Sequence, residues 1–392
     1  MAVRVVADWL VEVRTESTLQ RQAVLTGWAS LQVIERYNTV GSWQLAGPID
    51  AVRPLLGAGL GVVISRGGVQ VMAGPATKLV RSGDGTATIS GADDLVYLAD
   101  RIVYPNPAQA ITGQTIDYWT ATSTARETII INLIKANAGS AALVARQVGN
   151  LRVPATSGRG GTATVTARLD NLLTLVGQLA EAGGLRVATV HTESGGNRYR
   201  DVVVTATADK SGYVRFGPAA EGGPGRLAAD WSYTVGAPTV TRAIPAGGGE
   251  GAARIFRERA DAGAETLWGR RVESVVDQRQ TTATAELDSA GDDALTNGAG
   301  PTELSATVLD VPDLGYRIDW SCGDKVAVTV DGVTITDLVR EAATTVAAQS
   351  GQQTETVVPT VGSAADASAL TTPSQRALTS ALRRLAALER RV

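Results

Sequence analysis

Trp28-Ala29-Ser30-Leu31-Gln32-Val33-Ile34-Glu35-Arg36-Tyr37-Asn38-Thr39-Val40-Gly41-Ser42-Trp43-Gln44-Leu45 is the stretch from which the fold is read. Its first part, Gly27 to Tyr37, carries Trp28, Leu31, Val33 and Ile34 as apolar members of a strand. Asn38 to Gly41 reads as a turn, since Asn tolerates left-handed backbone and Gly has no Cβ to clash. Beyond it Ser42 and Gln44 alternate with Trp43 and Leu45, a return strand whose two apolar residues face inward. Gly41 is expected to supply a backbone conformation open mainly to glycine.

Outward from this hairpin the same pattern continues. Val3 to Val13 alternates as a strand, and Pro48 to Leu56 is a short helix opened by Pro48 and Asp50. Gly61 to Ile64 and Val69 to Met72 flank Ser65-Arg66-Gly67-Gly68, a hairpin signature. Thr86 to Ser90 is a strand and Asp93 to Asp100 a short helix, so residues 1–100 read as a first β-barrel domain. Residues 101–191 read as an inserted α/β domain with helices over Thr124 to Ala136 and Leu169 to Ala182, the second ended by Gly183-Gly184. Residues 192–346 form a second β-barrel domain, with a helix over Thr281 to Leu295 and an exposed charged loop near 243–271. Val62, Ile64, Gly68, Val69 and Val71 recur as Val326, Val328, Gly332, Val333 and Ile335 at one constant offset, either two related barrels or two hairpins alike by chance. Residues 347–373 turn to Gln, Ser, Thr, Gly and Ala and read as a flexible linker. Residues 374–392 read as an amphipathic helix capped by Ser374, with Leu378, Leu385 and Val392 seven apart and Leu388 on the second seam. This seam is expected to hold an oligomer or a partner. The fold class is mainly β with an inserted α/β unit, two β-barrel domains and a C-terminal helix.

Composition removes most other functions. The chain has 392 residues, 44% hydrophobic and 19% charged, which suits several globular units. A formal net charge of −3 gives no global polyanion binder. Cys322 is the single cysteine, so no internal disulfide or cysteine-based zinc site can form. No stretch approaches the ~20 apolar residues of a membrane span, and no membrane insertion is expected. His191 is the single histidine and is expected to be an ordinary surface residue. Asp93-Asp94 and Asp292-Asp293 are adjacent carboxylates, which on a helix point about 100° apart and serve joint acid–base work poorly. Gly57-Ala58-Gly59-Leu60-Gly61 follows a helix and precedes a strand, the reverse of a dinucleotide-binding turn. Gly158-Arg159-Gly160-Gly161 is a loop, and Cys322, in the turn Trp320-Ser321-Cys322-Gly323-Asp324, is expected to be a small buried or half-buried side chain and not a nucleophile. No catalytic residue, cofactor or metal is expected.

Residues 28–31 and 37–45, together with Asp319-Trp320-Ser321-Cys322-Gly323-Asp324-Lys325-Val326 and Asp331-Gly332, resemble the tail-tip or baseplate-hub proteins of long-tailed phages. The likeness is greatest to a minor tail protein family of actinobacterial siphophages and spans most of residues 1–346. Its marker residues are Asn38, Gly41, Trp43, Gly323, Asp324 and Gly332. The resemblance implies a homotrimer whose six barrels form a ring, matching a sixfold tail tube to a threefold tip. It implies distal-tail or tail-tube proteins and a receptor-binding or central-fibre protein as partners, with the genome passing through the lumen unbound. The location implied is the virion tail, and the role structural. A hub of a contractile injection particle, a carbohydrate-binding module and a glycan hydrolase are the rival readings.

Overall fold

In the computed structural model, which describes residues 8–218, 227–300, 302–308, 314–330, 333–349 and 352–362, the Asn38 turn joins two paired strands. Val33 lies opposite Trp43 and Leu31 opposite Leu45, all four buried, while Gln32 and Gln44 face solvent. The strands of the first region are β1 (Trp9–Thr15), β2 (Arg21–Leu25), β3 (Ser30–Arg36), β4 (Ser42–Pro48), β5 (Leu60–Arg66), β6 (Val69–Arg81) and β7 (Thr86–Ala92). Two single-turn helices, α1 (Ile49–Val52) and α2 (Val96–Ala99), accompany them. The α/β unit comprises β8 (Trp119–Ala125), α3 (Arg126–Asn137), β9 (Leu151–Arg152), β10 (Thr162–Ala167), α4 (Leu172–Ala182), β11 (Leu185–Ser194) and β12 (Asn197–Ala206). Next come β13 (Arg215–Phe216), β14 (Leu227–Val235) and a small group of β15 (Arg242–Ala246), β16 (Arg259–Ala260), α5 (Ala262–Trp268), β17 (Glu273–Asp277) and α6 (Thr284–Asn297). The last strands are β18 (Thr302–Val308), β19 (Lys325–Val330), β20 (Val333–Gln349) and β21 (Gln352–Gly362).

The largest sheet runs β14-β18-β21-β20-β3-β4-β7-β6-β5-β1-β2, with β19 and β13 branching from β20. Here the expectation of two β-barrel domains is corrected, because no sheet closes on itself among the described residues. The cause is β20. Its first six residues pair with β19, and from Val339 onward it pairs with β21 and, over residues 341–347, with β3. One strand from the end of the chain is thus built into the first region, and the two β regions share one ladder. Where a closing ladder would run, side chains cross instead. The Gln353 amide accepts from the Trp9 N–H (2.8 Å) and donates to the Trp9 carbonyl (3.2 Å), as a neighbouring strand would. Glu355 accepts from Trp9 Nε1 and from both ends of the Arg66 guanidinium, each at 2.8 Å.

Three cores follow. The first packs Trp9, Trp28, Leu31, Trp43 and Ile64 and takes in Val346 from β20. A glycine makes room for the largest of these side chains, since a Cβ on Gly91 would lie 2.4 Å from the Trp43 ring. The second packs α3 and α4 against β11 and β12, with Ile129, Ile130, Leu133 and Ile134 inward at helical spacing. The third is set around Trp320, whose ring meets Phe216 edge-on at 5.5 Å.

Several boundaries move. The α/β unit extends past residue 191, because β11 and β12 form one hairpin through Ala206. The stretch 243–271 is not a loop, for its arginines and acids pair across β15, β16 and α5. The linker expected over 347–373 begins instead as the end of β20 and all of β21, where Thr and Val alternate into the sheet. Residues 363–373, the C-terminal helix with Leu378, Leu385, Leu388 and Val392, and Gly332 lie outside the described residues. The repeated hairpins share their terminal pairing, Arg66 with Val69 and Val330 with Val333. In both, the outgoing strand changes partner midway, β6 from β5 to β7 and β20 from β19 to β21 and β3.

Candidate functional site

The place where the first β region, the α/β unit and the second β region meet holds most of the buried charge. Arg14 of β1 and Arg200 of β12 are 0% and 2% exposed. Both donate to Asp94 Oδ1, Arg14 Nη2 at 2.6 Å and Arg200 Nε at 3.0 Å. Both also reach Glu16, which accepts from Arg14 Nε at 3.0 Å and from the Tyr97 hydroxyl at 2.6 Å, and which Arg200 Nη2 meets directly. Arg200 Nη1 donates to the Gly149 carbonyl (2.8 Å), and its guanidinium stacks 4.5 Å from the Tyr97 ring centre. Burial alone would lower the Arg14 pKa, yet Asp94 and Glu16 hold it raised; burial would raise Glu16, yet Arg14 and Arg200 hold it lowered. Arginine suits this place because it stays charged and offers a planar fork of donors. Removing one member would leave an uncompensated buried charge, a loss of ~3–5 kcal/mol.

His191 sits on this cluster and not on an open surface, which corrects its expected placement. Its Nδ1 lies 3.2 Å from Arg14 Nη1 and its backbone N–H donates to Gln70 Oε1 at 3.0 Å. Burial and then Arg14 push its pKa down to about 4, so the ring is a neutral acceptor. The sequence singled out Asp94 alone of these, as half of the Asp93-Asp94 pair and not as the partner of buried arginines; Arg14, Glu16 and Arg200 were not singled out. The one available signal was an arginine beside apolar strand residues, Val13-Arg14 and Tyr199-Arg200, too common to single out.

The marker residues fall around the same junction. Asn38 holds the left-handed turn (φ +56°), and its side chain completes the edge of β11 by donating to the Leu185 carbonyl (2.9 Å) and accepting from the Val187 N–H (2.8 Å). Tyr37 donates its hydroxyl to the same carbonyl at 2.8 Å. Gly41 is required for a reason other than the one expected. Its φ is not positive; a Cβ there would lie 2.7 Å from the Ile34 carbonyl oxygen and 2.9 Å from Asp93 Oδ2, which its own N–H meets. Trp43 is 2% exposed and donates to the Ala92 carbonyl (3.2 Å). Gly323 takes φ +89° against Tyr37 and Arg186, while Asp324 accepts from the Ser321 N–H (2.7 Å) and pairs with Lys210 (2.9 Å).

Between these groups lies a cavity of about 240 Å³ walled by β3, β6, β11 and Arg317. Arg317, at φ +65°, donates to the Gln70 and Val71 carbonyls (2.8 and 3.0 Å) and lies 3.4 Å from Glu35. Burial raises the Glu35 pKa against the pull of Arg317 and Arg186, and raises Asp93 to about 7. Every adjacent carboxylate is engaged within the chain. Asp93 accepts from the Gly41 and Leu95 N–H groups, Asp94 from two arginines, Asp292 from Arg259 and Asp293 from Arg126. Cys322 is buried and burial pushes its thiol pKa up, the opposite of an activated nucleophile. Among the described residues no three His, Cys, Asp or Glu side chains gather as a metal site would require. No helix among them is long and apolar enough to cross a membrane. Trp28 and Trp43 lie in the core and are closed to stacking on a sugar.

What this arrangement does is fasten the first β region to the α/β unit within the chain. The same fold occurs in phage tail proteins. The 43 kDa tail protein of prophage MuSo2 from Shewanella oneidensis superposes with a TM-score of 0.57 at 14% identity, covering 90% of this chain and 98% of that one. A tail protein from Neisseria meningitidis MC58 gives 0.57 at 13% identity, covering 91% and 96%. The prophage tail protein gp18 from Listeria monocytogenes EGD-e gives 0.55 at 12% identity, covering 91% and 95%. No curated protein matches the sequence significantly. The family model described as Siphovirus ReqiPepy6 Gp37-like protein matches residues 10–363, and the chain belongs to that family.

Proposed function

We propose that the protein is a structural component of the phage virion tail, a tail-tip or baseplate-hub subunit that works as a homotrimer. It joins the tail tube to a receptor-binding or central-fibre protein, contributes to the wall of the channel, and catalyses no reaction. The observation that carries this reading is the fold shared with three tail proteins, two of them from prophages, over nine-tenths of the chain. Membership of a siphovirus family covering residues 10–363 supports it. So does the junction, where the buried ionisable groups are used to fasten one unit to another. A subunit of a closed ring needs rigid units in fixed relation, because each interface is closed only if the rotation between copies is set.

Mass photometry tests the assembly. A chain ending at Gly362 keeps β21 paired with β18 and β20 and is expected to be trimeric at micromolar concentration. A cut at Ala348 would remove β21 and confuse oligomerisation with folding. A chain ending at Gly362 that is monomeric at every concentration, yet retains the thermal transition of the full chain, overturns the trimer. Antibody labelling of intact particles that never marks the tail tip overturns the location.

A further inference from the structure

The group of residues 236–300 leaves one face of its sheet uncovered. β16, β15 and β17 lie side by side, and α6 packs on one face, where Gly247 and Leu287 meet and Gly291 meets Pro245 and Arg259. On the opposite face Ile244 and Val275 are in-register neighbours, and Val275 is 65% exposed. α5 is tied to that face through one side-chain pair, Glu265 accepting from Arg242, which pairs beside Glu273. It buries none of its seven residues, and Leu267 and Trp268 stand 81% and 39% exposed. Among the described residues, apolar side chains on this sheet face and on the helix beside it stand exposed, which leaves the packing unit incomplete.

We infer that this face is covered by the chain's own C-terminal segment, residues 374–392. Position comes first. The described residues end at Gly362, which pairs with Glu303, and Glu303 pairs with Thr234 at the stem of the 236–300 group. Two strand spacings are about 10 Å, and the seven residues from Thr234 to Thr241 add at most about 25 Å. The far limit to the start of β15, where α5 is held, is then about 35 Å. Residues 363–373 span up to about 36–40 Å when extended, so the segment reaches. Held by so short a linker, it is presented at an effective concentration in the millimolar range.

Chemistry comes second. The segment carries Leu378, Leu382, Leu385, Leu388 and Val392 at helical spacing, a stripe fit for Leu267, Trp268 and Val275. Its flanks carry Arg376, Arg383, Arg384, Arg390 and Arg391 against Glu389 alone. Residues 236–300 hold seven arginines against ten carboxylates, with Glu258, Glu273 and Asp277 about half exposed. A basic amphipathic helix on a net acidic, apolar-centred face is complementary in both respects.

Cross-linking tests it, because the one native cysteine, Cys322, is buried and leaves the background clean. The full chain with Leu267→Cys and Leu385→Cys is oxidised mildly and run without reductant. An intrachain disulfide, absent when Leu385→Cys is replaced by Thr371→Cys paired with Val144→Cys on the α/β unit, is the expected result. A disulfide that forms only between chains assigns the face to a neighbouring copy, and no disulfide leaves it uncovered by this segment; either overturns the inference. Hydrogen exchange on the unmodified chain gives an independent reading. Amides of residues 262–277 should exchange at least 5-fold faster in a chain ending at Gly362 and recover when a peptide of residues 374–392 is added. Unchanged exchange in the shortened chain overturns the docking even if it remains trimeric, so this result and the oligomeric state are read separately.

Discussion

The Asn38 side chain is the smallest change with which to pull the first β region from the α/β unit. Asn38→Gly keeps the left-handed turn at φ +56°, because glycine enters that region freely, and removes only the amide. The Leu185 carbonyl keeps a partner, the Tyr37 hydroxyl at 2.8 Å, so the loss there is small. The Val187 N–H keeps none, since its bond to Asn38 Oδ1 at 2.8 Å is the one that faces the first region. A buried donor left unpaired costs about 1–3 kcal/mol. At 1.4 kcal/mol per factor of ten, the Val187 amide should exchange roughly 5- to 150-fold faster if it opens locally. Asn38→Asp makes the comparison. It still accepts from Val187 but turns a second carboxylate oxygen toward the Leu185 carbonyl in a buried site, and should destabilise more than Asn38→Gly. Hydrogen exchange resolved to residues 185–190 measures both. Val187 exchange within 2-fold of the parent in Asn38→Gly, with an unchanged urea midpoint, would refute the view that this amide fastens the two units.

Two further outcomes follow from the same packing and charge. Gly91→Ala places a methyl 2.2 Å from the Pro75 carbonyl oxygen and 2.4 Å from the Trp43 ring, and should cost about 3 kcal/mol or more by thermal unfolding, whereas Gly83→Ala, which meets nothing within 4 Å, should be neutral. His191 carries a sign that can be checked by pH. Its folded pKa, about 4, lies below the ordinary value of about 6.5, so the unfolded chain binds the extra proton between these values and stability falls as pH drops through that window. His191→Gln should lose part of the melting-temperature difference between pH 7 and pH 4.5, and an identical difference in both proteins would show that burial and Arg14 do not hold the ring neutral.

How much was legible depended on whether a pattern was local. The β3–β4 hairpin, the helical spacing of Ile129 to Ile134 and the turn at Asn38 are set by neighbours in sequence, and each stands where it was read. The barrel architecture was not local. Nothing within residues 333–349 says that its second half pairs with β3, three hundred residues earlier, so the regions read as separate barrels. The linker reading failed over 347–349 and 352–362 because Gln352 to Gly362 has the polar, Thr-rich composition of an exposed tail, while its Val357 and Val361 go inward. The charged stretch 243–271 was read as a loop since its arginine and glutamate spacing has no single period; its order comes from cross-strand and helix pairs such as Arg242 with Glu265. The junction was least visible. Arg14 and Glu16, Asp94, and Arg200 come from three separate places in the chain, and only folding makes them one cluster.

These non-local features bear on how the protein can work in an assembly. β20 divides its pairing between β19 and the pair β3 and β21, so the two β regions cannot shift without breaking ladder hydrogen bonds. The α/β unit is held to the first region by Asn38 and by two buried arginines, and to the second by Arg340 with Glu181 at 2.6 Å. Units fastened in this way have less ordering to lose on association, which suits the proposed trimer. The 236–300 group is attached differently. It hangs from β14 and β18 and touches the α/β unit through partly exposed polar contacts, Arg126 with Asp293 and Ser123 with Glu286. The Ser123 contact is exposed and weak, and the hold rests mainly on buried Arg126 against the partly exposed Asp293. Movement, where a tail subunit has to move, is expected there first, on the part of the chain that also presents its uncovered face.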